Sequence, residues 1–209
     1  MSLSRYNRMH TMKRLIHRFL TDERASVTVE VVLMMPILLW GYFGLFILFE
    51  GYRNLSANIR AAYTISDMLS RETNAINAAY IEGLNDIQDV ITQSPHRTVL
   101  RVSVVRYDDD DDQHDLVWSY STAGKPAVSQ AGVDTLLKPY LPSMSDGEVQ
   151  VVVETWMAFV PFLNIDMRAL YAPYADWSLT GFHAFYFESL VTTRPRFAGQ
   201  LCWEGATSC

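Results

Sequence analysis

The sequence predicts an α+β protein in which a single N-terminal transmembrane helix runs on into a domain with a small antiparallel sheet of about four strands. Three observations carry that reading. Val31 to Phe49 is nineteen residues without a charged side chain. Beyond it, apolar residues recur at three- and four-residue steps to about residue 91, the period of an amphipathic helix. From Thr98 onward the period falls to two, with β-branched residues and proline stops, the pattern of strands.

At about 1.5 Å per residue the uncharged run spans roughly 28 Å, close to the hydrocarbon thickness of a bilayer. A core helix of a soluble protein is rarely apolar on all sides for five turns. Residues 1–25 carry Arg5, Arg8, Lys13, Arg14, Arg18 and Arg24 against Asp22 and Glu23, whereas residues 26–209 carry 11 basic and 21 acidic side chains. A basic head before a span predicts a cytoplasmic N-terminus and an exported C-terminal domain. The long run exits into Glu50-Gly51-Tyr52-Arg53 with no small-x-small site, so it reads as a retained anchor rather than a secretory signal. The acidic body argues against a nucleic-acid partner. The implied organisation is a basic leader at 1–25, a membrane segment at 26–50 and an exported domain at 51–209.

Past Glu50 the stripe Leu55, Ile59, Ala62, Ile65 or Ser66, and Leu69 extends the helix to about residue 70. Ile76, Tyr80, Leu84, Ile87 and Ile91 form a second stripe, either continuous with the first or following it, that ends before Ser94-Pro95. Strands are predicted over 98–107, with Leu100, Val102 and Val104 on one face, and around Leu116, Trp118 and Tyr120. Between them Asp108 to Asp112 are five consecutive aspartates, which cannot enter a packed interior. They read as a solvated hairpin tip, with a hard cation as the less favoured alternative because the spacing fixes no coordination geometry. A short helix near Val133–Lys138 precedes the strongest strand, 149–160, closed by Pro161, and a last strand is predicted near Phe182–Thr193. Glu154 and Glu188 read as strand residues facing water or each other across the sheet.

One charge stands at the edge of the apolar run. Glu30 lies in Ser26-Val27-Thr28-Val29-Glu30-Val31-Val32-Leu33, and it reads either as a wet interfacial carboxylate or as the buried partner of a positive group. Asp22-Glu23-Arg24-Ala25-Ser26-Val27-Thr28-Val29-Glu30, followed by an apolar helix containing Pro36, resembles the leader of class III, type IV pilin-like proteins, in particular the TadE-like minor pseudopilins of the tight-adherence (Tad/Flp) pilus system. The resemblance is specific over residues 22–50 and diffuse beyond. It implies that a prepilin peptidase cuts after Ala25, which stands where the family usually has glycine. Ser26 would become the mature N-terminus and Glu30 its fifth residue. Glu30-Val31-Val32-Leu33-Met34-Met35-Pro36 matches the family's E-F-x-L-x-x-P continuation except for Val31. The resemblance further implies a pilin-like domain and a bacterial inner-membrane location with the domain in the periplasm or carried into a pilus. Its partners would be other pilins and pseudopilins, the inner-membrane platform proteins and membrane lipid. Glu30 and Pro36 are the expected subunit-packing residues.

No enzyme is predicted. The histidines at 10, 17, 96, 114 and 183 have no metal-ligand spacing, and no nucleophile elbow, P-loop or dinucleotide fingerprint occurs. No cofactor or metal is expected, and His183 reads as a structural strand residue. Cys202 and Cys209 are the chain's two cysteines; on the exported side an intrachain disulfide is the default, with intermolecular pairing or free thiols as alternatives. The alternative function is a single-pass membrane-anchored periplasmic protein that binds a ligand or partner.

Overall fold

The computed structural model describes residues 23–160 and 185–206. Helix α1 spans Glu23–Arg71 with Pro36 inside it, and α2 spans Ala78–Thr92. Strands β1 (Val99–Asp108), β2 (Gln113–Ser121), β3 (Val149–Phe159) and β4 (Phe185–Thr193) form one sheet in the order β2-β1-β3-β4. All three pairings are antiparallel. The chain is α+β and divides between Phe49 and Glu50 into two compact units.

In the first unit, apolar side chains of α1 are exposed all round the helix; Val32, Leu38, Trp40, Leu45 and Phe49 are each more than 60% accessible. This is a helix long and apolar enough to cross a membrane. Pro36 cannot donate to the carbonyl one turn before it, yet the helix continues.

The second unit sorts its residues. Ile65 and Leu69 of α1 join Ile81 and Leu84 of α2 against Leu100, Val102, Val104, Val151 and Val153 of the sheet, and Ala61 and Ala62 of α1 are fully buried as well. Ile59, expected on the buried stripe, is exposed, and Asn58 is fully buried in its place. Asn58 tolerates this because its Nδ2 donates to the Phe187 carbonyl at 3.2 Å and its Oδ1 accepts from Gln88 Nε2 at 3.2 Å. The two helices are separate: after Arg71, Glu72 Oε1 accepts the backbone N–H groups of Thr73 and Asn74, and Asn77 caps α2 by accepting from Tyr80 N at 3.0 Å. The opposite face of the sheet is also covered, by Val128, Val133 and Leu137 packed on Val105 and Val152. Two of these come from a segment that is α-helical at Gln130–Gly132, π-helical at Val133–Leu137 and 3-10 at Lys138–Tyr140, where a short helix was expected. Consequently β3 is buried at every position.

The aspartates turn the β1–β2 hairpin in the open, with Asp108 Oδ1 accepting from Asp110 N at 3.0 Å. After β4 the chain returns to the helices. Ile76 pairs with Trp203, whose ring stacks on Tyr120 at 5.3 Å and tilts against Trp118 at 5.1 Å.

Candidate functional site

The residues singled out at the start of the chain all lie on α1. Ala25 and Ser26 fall in its first turn, where backbone N–H groups have no partner within the helix and fraying costs little. A protease needs such local opening. Glu30 lies one turn further on; it is exposed and makes no hydrogen bond or ion pair with a described residue. About one and two-thirds turns separate it from Pro36. The arrangement offers a carboxylate without a partner among the described residues, at the margin of an apolar helix, suited to receiving a cation from another chain.

A second feature appears only in three dimensions. A cleft of about 900 Å³ opens on the sheet face opposite the helices, lined by Arg101 of β1, Glu154 and Trp156 of β3, Tyr186 and Glu188 of β4, and Lys125 from the loop after β2. Its floor is a buried ion pair. Arg101 donates through Nε and Nη2 to the two Glu154 oxygens, each at 2.6 Å, with the side chains 8% and 4% accessible. The guanidinium carbon lies 5.0 Å from the centre of the Trp156 ring, and Lys125 Nζ lies 2.8 Å from it, so both cations meet the electron-rich face. Burial, then the nearby Arg101 charge, depress the Lys125 amine from 10.5 to about 8, partly offset by Glu188 and Glu154. Burial likewise raises the Tyr186 hydroxyl.

These positions correct the reading of Glu154 as a residue facing water or Glu188. The register pairs Glu154 with Leu190 and Trp156 with Glu188; Glu188 is exposed, whereas Glu154 is turned inward onto Arg101. Sequence reasoning missed the Arg101–Glu154 pair and Lys125 altogether. A signal existed in β3, where Glu154 is the lone charge in an otherwise apolar and uncharged-polar strand, and a lone charge in a two-face-buried strand demands a partner. Chemically the cleft offers charge, from the Lys125 amine and the exposed Glu188 carboxylate, beside a Trp156 ring whose face Arg101 and Lys125 already cover. Among its described lining residues there is no serine, cysteine or histidine.

Two other expectations fall elsewhere. No cluster of three or more His, Cys, Asp or Glu among the described residues could hold a metal ion, the aspartate tip included. Cys202 is partly buried after β4, and Gly205 beyond it takes a positive φ of 84°, which suits a turn. Cys209 lies outside the described residues, as do His183 and the expected start of the last strand at Phe182.

Comparison with family models, with curated proteins and with solved structures finds no match for this chain.

Proposed function

We propose that this protein is a minor pseudopilin-like structural component of Tad/Flp pilus assembly, acting by helix packing in the inner membrane and at the pilus base or tip. The observation that carries the proposal is α1. One helix, Glu23–Arg71, holds the Ala25–Ser26 bond, then Glu30, then Pro36 within the uncharged run, and then the amphipathic turns on which the sheet is laid. In this reading a prepilin peptidase frees Ser26 as an α-ammonium. The mature helix rests in lipid with its domain in the periplasm until platform proteins extract it. It then packs against neighbouring pilins, each Glu30 pairing with a neighbour's terminal ammonium. Both charges are expensive alone in a low-dielectric bundle, so the pair sets axial register.

N-terminal sequencing of the membrane form, produced with a prepilin peptidase present, tests this. A mature chain that begins at Ser26 supports it, and an intact Met1 head contradicts it. Ala25→Gly should preserve or speed the cut, and Ala25→Leu should block it; equal processing of all three would remove the small-residue requirement on which the assignment rests. The Trp156 cleft favours a second reading, a membrane-anchored periplasmic binding protein. That reading gains if the head is uncut and a ligand is retained by the wild type but lost in Trp156→Ala.

A further inference from the structure

Of the two described histidines, His96 is exposed and His114 is enclosed, with 8% of its surface accessible. His114 stands near the start of β2, opposite Tyr107 of β1, and the two rings tilt together at 5.1 Å. Its Nδ1 is buried and makes no hydrogen bond with a described residue. Either neutral tautomer leaves one uncharged atom idle there. A cationic ring sets an N–H without an acceptor, and part of a full charge, in the same place.

The backbone around His114 is where the helical segment 130–140 is tied to the sheet. Gln130 Nε2 donates to the His114 carbonyl and Gln130 Oε1 accepts from Leu116 N, each at 2.7 Å, so one side chain takes the place of a neighbouring strand. Lys138 Nζ reaches the Asp112 carbonyl at 3.5 Å. From this tie the segment lays Val133 and Leu137 over Val105 and Val152, and its Leu136 and Tyr140 line the Trp156 cleft. Its hydrogen bonding passes from α to π to 3-10. Turns of the π form are rare and those of the 3-10 form have poorer geometry, so packing and the Gln130 tie hold the segment more than its backbone does.

Burial, then Lys138 on the 3-10 turn, hold the His114 imidazole below its ordinary 6.5; Asp112 of the hairpin tip and Asp134 of the π-helical turn pull the other way. These three charged residues are exposed, so water screens them. Tyr107 adds no charge, and its hydroxyl donates to Asp112 Oδ1 at 3.0 Å. We propose that His114 is an acid-sensitive latch on the segment 130–140. Its neutral ring lets the segment close on β2, and its protonation loosens the segment and with it one wall of the Trp156 cleft. Loosening admits water to the ring and leaves Asp112 and Asp134 near the new charge. A loosened segment binds the proton at the ordinary value, so closure is fully favoured above pH 6.5 and is lost as pH falls from there toward the folded value. These contacts all lie within the second unit, and the inference does not depend on pilus assembly.

Amide hydrogen exchange of the full chain in mild detergent, read by mass spectrometry and corrected for intrinsic rates, tests it. The range is about pH 7.5 to about pH 5.0, where most carboxylates stay ionised. Protection of residues 130–140 should fall at least about fivefold over that range, and by no more than about tenfold per pH unit for one proton, while β3 stays within about twofold. His114→Phe keeps a ring against Tyr107 and cannot titrate, so its segment should be equally protected at both values. Exchange at the imidazole C2 position gives the His114 midpoint in the same chains, which should lie below 6.5 in the wild type. Gln130→Ala, a change at an exposed residue, unties the segment and by reciprocal linkage should move that midpoint up toward 6.5. Unchanged protection of the wild type at acid pH overturns the proposal, as does an equal fall in His114→Phe. A midpoint that Gln130→Ala leaves in place overturns it too, and that readout stands even if His114→Phe does not fold.

Discussion

The two halves of α1 belong to one helix but treat apolar side chains in opposite ways. Between Val27 and Phe49 they point outward in every direction, and Glu30 at the margin has no described partner. Between Ala61 and Leu69 the aliphatic ones, Ala61, Ala62, Ile65 and Leu69, are buried while Tyr63 stays outside, and the polar groups buried near them include the Asn58 amide, bonded to the Phe187 carbonyl, and the Ser66 hydroxyl. The second unit even places a charge pair inside, Arg101 on Glu154, where the first keeps charge out of its apolar run. The lesson concerns solvent. A helix that exposes apolar surface all round is matched to lipid or to other helices, and one that exposes a single polar face is matched to water.

The sharpest way to break this contrast is the buried pair. Arg101→Met strands Glu154 in the interior and should cost about 3–5 kcal/mol, whereas Arg101→Met/Glu154→Met should recover most of that loss. Urea melts of the full chain in detergent, followed by tryptophan fluorescence, check both. If the single variant melts like the wild type, the pair is not desolvated and the second unit does not tolerate charge in the way described.

Truncation within the two halves comes next. Leu69→Ala, at a fully buried site, should cost about 2–5 kcal/mol in the same melts. Leu38→Ala, at a site 66% exposed, should change the melt by less than about 0.5 kcal/mol. Leu38→Asp should instead impair insertion by about 2.5–3.5 kcal/mol, read as a fall in the carbonate-resistant fraction. A large melt effect from Leu38→Ala would mean that the first half is packed in a core after all.

Smaller effects refine the cleft and the helices. Lys125 has a folded-state pKa of about 8 against 10.5 in a free chain, so between those values the unfolded state binds more protons and stability rises with pH. The gain is about 1 kcal/mol once solvent screening of this half-exposed amine is allowed for. Competitive acylation of Lys125 should show a midpoint near 8. Gly83, exposed on α2, would place a Cβ in open space, so Gly83→Ala should stabilise the second unit by about 1 kcal/mol.

Helix and strand positions were legible because period alone separates 3.6 from 2.0, and because Pro95 marks a boundary that packing later respects. The burial face of α1 was less legible. Ile59 and Asn58 are neighbours, and an apolar stripe does not reveal that the Phe187 carbonyl and Gln88 on distant elements would draw the amide inward. The lone charge of β3 signals that Glu154 needs a partner, but which one is set by strand register, which no local pattern encodes, so the cleft itself was not legible in the sequence. The alternation of Leu100, Val102 and Val104 marked one buried face; the second depended on Val133 and Leu137 arriving from a segment of mixed helical form.

The central claim is that Glu30 serves assembly between chains and not insertion of its own. Glu30→Val removes a carboxylate that has no described partner within the chain. It should leave leader cleavage and membrane residence as in the wild type, since the site lies at the edge of the apolar run where a charge costs little. If Glu30 pairs with the Ser26 ammonium of a neighbour in a desolvated bundle, the loss strands that cation at about 3–5 kcal/mol, more than a hundredfold in association. Co-purification with partner pilins from the same membranes measures it. The account predicts a cleaved, membrane-resident Glu30→Val chain that brings down no partner pilins and supports no pili; normal co-purification and normal piliation would contradict it.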